Sequence, residues 1–142
     1  MSGTLYLVAT PIGNLEDITL RAIKVLNNAD LVLAEDTRNS KKLFAKHLIK
    51  TPLSAYHDFS SERKTQSIIK LLKNGKIIAL VSDAGTPLIS DPGFELVRKA
   101  IKENIKIYSI PGPSSVISGL ITSGFNTNRF IFEGFLPRKS SD

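Results

Sequence analysis

The chain has 142 residues, 42% hydrophobic and 23% charged, a balance that excludes a disordered chain and suits one soluble domain with a buried core. It has no cysteine and only two histidines, His47 and His57, which excludes a disulfide framework and a thiolate metal site and leaves a structural zinc site short of ligands. Nineteen Lys and Arg against 13 Asp and Glu give a formal charge of +6, and no run approaches the roughly 18 apolar residues of a membrane span.

In chain order, short apolar runs alternate with amphipathic stretches. The first run, residues 5–9, is followed by Ile18, Ala22, Val25, Leu26 and Ala29 at helical spacing, with Asp17 or Thr19 as N-cap. A second run at 31–34 leads into a helix predicted at 40–48. Residues 53–56 form a short further strand candidate. The helix predicted at 61–74 carries Ile68, Ile69, Leu71 and Leu72, and Gly75 supplies its left-handed stop. The run 77–81 precedes a helix at about 94–103, the run 105–110 precedes a small-residue helix at 114–122, and 130–132 is the last predicted strand. The runs are almost continuously apolar, as strands buried on both faces are. This alternation predicts an α/β fold, a mostly parallel, Rossmann-like sheet of about five strands flanked by helices. Residues 1–133 are expected to form that domain, and 134–142, with Pro137, Arg138 and Lys139, to form a linker to a second α/β domain.

Three loops rich in Pro and Gly follow three of the runs, at 10–15, 82–93 and 111–115. The carboxyl ends of parallel strands share one edge, so these loops are expected to converge there around a ligand. In the longest, Gly85 and Gly93 let the backbone approach closely, and Asp83 offers a carboxylate to a ribose hydroxyl or an amine. Ser114 and Ser115 open a helix, where they either face the ligand with its N–H groups or simply cap it. The 10–15 loop lacks G-x-G-x-x-G, and no G-x-x-x-x-G-K-[ST] occurs, which excludes the standard NAD and P-loop sites. After the second run, Glu35 and Asp36 could hold a proton or orient a hydroxyl, and Arg38 could grip a phosphate; Asp36 could equally cap the next helix. His57 is either a further proton acceptor or a structural histidine. The cationic excess suits solvated helix faces or a polyanionic partner. Residues 1–10 lack a basic segment leading into a long apolar stretch, so the expected location is the cytoplasm.

Several strings, in order, resemble the tetrapyrrole methylase superfamily and, within it, the ribosomal RNA small subunit methyltransferase I group. They are Ala9, Thr10, Pro11, Ile12, Gly13, Asn14, Leu15; then Ala34, Glu35, Asp36, Thr37, Arg38; then residues 81–93; then Pro111, Gly112, Pro113, Ser114, Ser115; and finally Glu133, Gly134, Phe135, Leu136, Pro137. The resemblance covers essentially the whole chain. It implies S-adenosylmethionine as cofactor and methyl transfer to the ribose 2′-hydroxyl of a cytidine in 16S rRNA. It also implies the small ribosomal subunit as partner, a cofactor cleft between two α/β domains, and a homodimer. Carried over by position, Ile12 and Gly13 line the first cofactor loop, Asp83, Ala84, Gly85, Thr86 and Pro87 the second, and Ser114 and Ser115 the third. The wider superfamily has a Gly-rich first loop and Gly-Asp-Pro in the second; here Thr-Pro-Ile-Gly and Asp-Ala-Gly-Thr-Pro match the RNA-modifying branch. A small tetrapyrrole is then the alternative substrate, and an RNA-binding module without turnover the alternative to an enzyme. Glu35, Asp36 and His57 are the candidate bases, Arg38 the candidate substrate contact, and neither a metal nor a membrane is expected.

Overall fold

A computed structural model describes residues 2–57 and 60–136. Its sheet holds β1 (Thr4–Val8), β2 (Leu31–Ala34), β3 (Leu53–Ala55), β4 (Ile77–Val81) and β5 (Lys106–Ile110). Their order is β3-β2-β4-β1-β5, and every neighbouring pair is parallel. Helices α1 (Leu20–Asn28), α2 (Thr37–Lys46), α3 (Glu62–Lys73) and α4 (Phe94–Lys102) connect the strands, and α5 (Ser115–Thr122) follows the last.

Local chemistry sets where the helices begin. Thr19, not Asp17, caps α1: its Oγ1 accepts from Ala22 N at 3.0 Å, while Asp17 ends a separate short 3-10 turn. Asp36 caps α2, so that helix starts at Thr37, three residues before the predicted Ser40. Ser61 caps α3, and Gly75, at φ +87°, follows its C-cap Asn74.

Two apolar layers enclose the sheet. On one face Ala22 and Leu26 of α1 and Leu43 and Phe44 of α2 pack with Val8, Val32, Ala34 and Ile110. On the other, Ile68 and Leu72 of α3 and Leu96 and Ala100 of α4 pack with Leu5, Leu33, Ile78 and Leu80. Because central β2 and β4 are covered on both sides, they read as unbroken apolar runs, and each fully buried Leu or Ile contributes about 1.5–3 kcal/mol.

One predicted strand is corrected. Residues 130–132 pair with no strand among the described residues, and Phe130, Ile131 and Phe132 stay exposed. A strand needs an edge that meets its hydrogen bonds; residues 53–55 have one in β2, with Val32 opposite Leu53, and take the fifth place in the sheet. Gly134, Phe135 and Leu136 form no helix or strand, and the rest of the predicted linker, 137–142, lies outside the described residues. No helix among the described residues is long and apolar enough to cross a membrane.

Since α1 and α2 cover one face and α3 and α4 the other, neighbouring strands β1 and β4 send their following loops to opposite sides of the sheet. A crevice opens at such a reversal, on the carboxyl edge, and open α/β sheets bind ligands there. At the β5 edge the helix is less committed: α5 buries no residue, and Ile117 and Ile121 face outward together with Tyr108 of β5.

Candidate functional site

The predicted convergence of loops is present, and hydrogen bonds hold it. Thr10, just past β1, and Gly85, in the loop after β4, exchange both backbone bonds, at 2.9 and 3.0 Å. Thr10 Oγ1 also donates to Ser82 O at 3.2 Å, and Ser82 Oγ donates to Ala84 O and Gly85 O at 3.3 Å each. Both hydroxyls are buried and satisfied, so the two loops form one unit. The loop after β5 closes on them through Gly112, where an added Cβ would lie 3.0 Å from the Cβ of Ala9. Gly85 sits at φ +80°, and Leu88 and Ser90 also adopt positive φ, at 71° and 59°. Left-handed backbone at non-glycine residues is strain that the surrounding packing must hold, and it concentrates in ligand-binding loops.

Two shallow recesses flank the Thr10–Gly85 bridge. One, of about 80 Å³, lies between Ala84, Gly85, Thr86, Ile89 and Asp91 on one side and Ser114, Ser115 and Val116 on the other. The second, of about 40 Å³, is lined by Thr10, Pro11, Leu15, Asn39 and Asp83, among others. Neither approaches the roughly 300–1,000 Å³ of an enclosing small-molecule site. A larger concavity, about 490 Å³, lies away from the rim, between α3 and α4.

The predicted residues divide along the rim. Ile12 is half-buried and Gly13 exposed in the first loop; Asp83, Ala84 and Thr86 are exposed and Gly85 and Pro87 buried in the second. Ser114 caps α5, accepting from Ile117 N at 3.4 Å, and Ser115 is its exposed first residue. Asp83 reaches sideways: Oδ1 accepts from Asp36 N at 3.0 Å and Oδ2 from Asn39 Nδ2 at 2.9 Å, tying the β4 loop to the start of α2.

Asp36 is fully engaged. Its Oδ1 accepts from Arg38 N at 2.8 Å, and Arg38 grips both carboxylate oxygens through Nε and Nη2, the shortest contact being 2.6 Å. The Arg38 side chain, and secondly its N–H, hold the Asp36 carboxyl down at about 2. Arg38 itself is 86% exposed and is aimed outward by this clamp. Glu35 is half-buried at the end of β2. His57 follows β3 and lines a recess of about 220 Å³ with Tyr56, Glu62 and Gly93. With strands about 4.8 Å apart, β3 stands about 14 Å from β1, so His57 is remote from the loop after β1 but shares its recess with Gly93 at the far end of the loop after β4, whereas β2 is adjacent to β4.

Three residues outside the predicted set complete the rim. Asn39 positions Asp83, buried Thr10 locks the first loop, and His47 Nε2 donates to Leu15 O at 2.8 Å, tying the first loop to the end of α2. A Thr directly after an apolar strand is a readable signal. Asn39 and His47 act across 44 and 32 residues, which no local pattern reveals.

A parallel sheet with its ligand edge at a strand-order reversal, built from Gly and Pro turns without a phosphate fingerprint, defines an α/β domain of the kind that holds nucleoside-sized cofactors. The chain belongs to the tetrapyrrole (corrin/porphyrin) methylase family, whose profile matches residues 4–138. It is 52% identical to a ribosomal RNA small subunit methyltransferase I of Thermotoga maritima, over 96% of this chain and 61% of that protein. The namesakes from Rickettsia prowazekii and Halalkalibacterium halodurans are 55% and 56% identical, over 94% and 96% of this chain and 48% and 47% of theirs. The chain thus spans about half the length of the curated relatives it matches. Among solved structures it resembles uroporphyrin-III-C-methyltransferase from Thermus thermophilus, with a TM-score of 0.67 and 29% identity over 84% of this chain and 53% of that one. A cobalt precorrin-4 methyltransferase shares the fold, with a TM-score of 0.67 and 24% identity over 84% of this chain and 50% of that one.

Proposed function

We propose that this chain is the cofactor-binding part of an S-adenosylmethionine-dependent methyltransferase that acts on the ribose 2′-hydroxyl of a cytidine in 16S rRNA. The observation that carries the reading is the union of the three loops at the sheet's reversal point, in a chain whose curated relatives bear a ribosomal RNA methyltransferase name. The recess beside Gly85 suits a nucleoside: Ile89 and Val116 offer apolar contact, and the hydroxyls of Thr86 and Ser115 offer polar edges. The rest of the longer protein supplies the second wall of the cleft, and outward-facing Ile117 and Ile121 of α5 suit such packing.

When bound, S-adenosylmethionine supplies an already activated methyl group. The residues around it must then orient the ribose and take one proton. Arg38, exposed and paired with Asp36, suits a phosphate contact in this reading, through its remaining N–H groups. Of the candidate bases, Glu35 is favoured. It follows β2, one strand from β4, whereas the Asp36 carboxylate is capped, clamped and too acidic to hold a proton at neutral pH, and His57 follows β3, two strands from β4.

The relatives named for tetrapyrrole substrates lie at 24% and 29% identity, about half that of those named for ribosomal RNA, which favours RNA over a small tetrapyrrole. Full-length protein given labelled S-adenosylmethionine and small ribosomal subunits is expected to place label in 16S rRNA, on a ribose that resists alkaline cleavage, at a rate that falls steeply with salt. Label accepted by a tetrapyrrole instead, or by neither substrate, overturns the reading.

A further inference from the structure

We propose that the cleft between α3 and α4 is a phosphodiester track, holding the RNA strand that flanks the modified nucleotide. This rests on the ribosomal RNA reading above. Both helices run antiparallel to the strands and therefore side by side in one direction, leaving a hollow of about 490 Å³ between them. Five cationic side chains line it, at Lys70, Lys73, Arg98, Lys99 and Lys102, against only two carboxylates, Glu62 and Glu103.

Two ion pairs cross the cleft, Lys73 to Glu103 at 2.5 Å and Lys99 to Glu62, while Arg98 pairs along its own helix with Glu95 at 2.7 Å. Lys70 and Lys102 join no ion pair among the described residues. The Lys73–Glu103 pair is well exposed to solvent, where ion pairs contribute little, so a phosphate can take over Lys73 at little cost.

Lysines in the last turn of a helix also offset its dipole, which would explain their presence without any ligand. That effect acts on every helix, yet the last turns of α1 and α5 carry no basic residue. Nor does it require two helices to aim their cations into one concavity, where like charges repel. A concave basic surface concentrates its field on a polyanion.

Position connects the cleft to the rim. Glu62, the first residue of α3, lines both this hollow and the recess of about 220 Å³ that holds His57 and Gly93, so the two hollows adjoin at that end of the helix. The 12 residues of α3 extend the track by about 18 Å from that end. A strand lying there would deliver its next nucleotide to the carboxyl edge of the sheet.

The test uses the full-length protein with Lys70→Glu and Lys102→Glu combined, and a charge-matched control, Lys24→Glu with Lys50→Glu, away from the cleft. The track variant is expected to raise KM for small ribosomal subunits tenfold or more, with kcat and the Kd for S-adenosylmethionine unchanged. Its log affinity for single-stranded RNA against log salt should flatten by about 1.4, two contacts at about 0.7 each. The control should match wild type. An unchanged KM and salt slope in a protein that still methylates rRNA overturns the track and leaves the RNA reading standing. Equal losses in both variants also overturn it, because net charge alone would then explain the effect. A wild-type protein that neither binds nor methylates RNA removes the RNA reading and the track together.

Discussion

Gly85→Val in the full-length protein is expected to weaken S-adenosylmethionine binding at least tenfold, whereas Gly124→Val is expected to leave it unchanged. Space does not forbid the first substitution, since an added Cβ at Gly85 would meet the Ile12 Cγ2 at 3.5 Å and the Pro113 carbonyl oxygen at 4.0 Å, both ordinary contacts. Backbone conformation does. At φ +80° a β-branched residue is strained by on the order of 1–3 kcal/mol, and relief turns the peptides flanking Gly85, whose N–H and C=O are paired with Thr10. Once that pairing opens, Ser82 loses its acceptor at Gly85 O, and the loops after β1 and β4 no longer share a surface. Tenfold corresponds to about 1.4 kcal/mol, less than the combined loss of two buried hydrogen bonds and an ordered loop. Gly124 supplies the matched case: it sits at φ +75° past the end of α5, and an added Cβ there meets nothing within 4 Å. Calorimetric titration of both variants gives the comparison, and equal affinities would mean that Gly85 does not shape the cofactor wall.

Glu35→Gln is expected to lower kcat by about 10²–10⁴ with S-adenosylmethionine affinity within about twofold of wild type, the range that loss of a positioned base produces. Asp36→Asn and His57→Ala are expected to cost less than about tenfold. Asparagine can still cap α2, and because Asp36 ionises at about 2, its carboxylate accepts no proton in the neutral range. The kcat profile of Asp36→Asn between about pH 5 and 9 should therefore keep the wild-type shape. A large loss that follows His57 instead would move the base to β3, and the reacting ribose with it.

What could be read beforehand follows from how local each determinant is. Burial on both faces makes β2 and β4 legible as plain apolar runs, and a capping hydroxyl followed by periodic Ile and Leu makes α3 legible nearly to the residue. Phe130, Ile131 and Phe132 look the same in composition, but strand formation depends on a partner edge, which composition does not contain. Short β3 was legible only as an option, because three half-buried residues carry little periodic signal. At the rim, Gly85 and the positions of the three loops were readable from turn chemistry. The direction of Asp83 was not: its donors, Asp36 N and Asn39 Nδ2, come from a neighbouring strand connection 47 and 44 residues away. The same strand order puts His57 three strands from the loop after β1, a distance that a linear string of candidate bases conceals.

The most direct measurement is hydrogen–deuterium exchange of the full-length protein with and without saturating S-adenosylmethionine. Slowed exchange is expected at residues 10–15, 82–91 and 111–116, with α1 and the outer turns of α3 and α4 unaffected. Protection confined to other segments, or identical exchange at saturation, would contradict the placement of the cofactor against these loops.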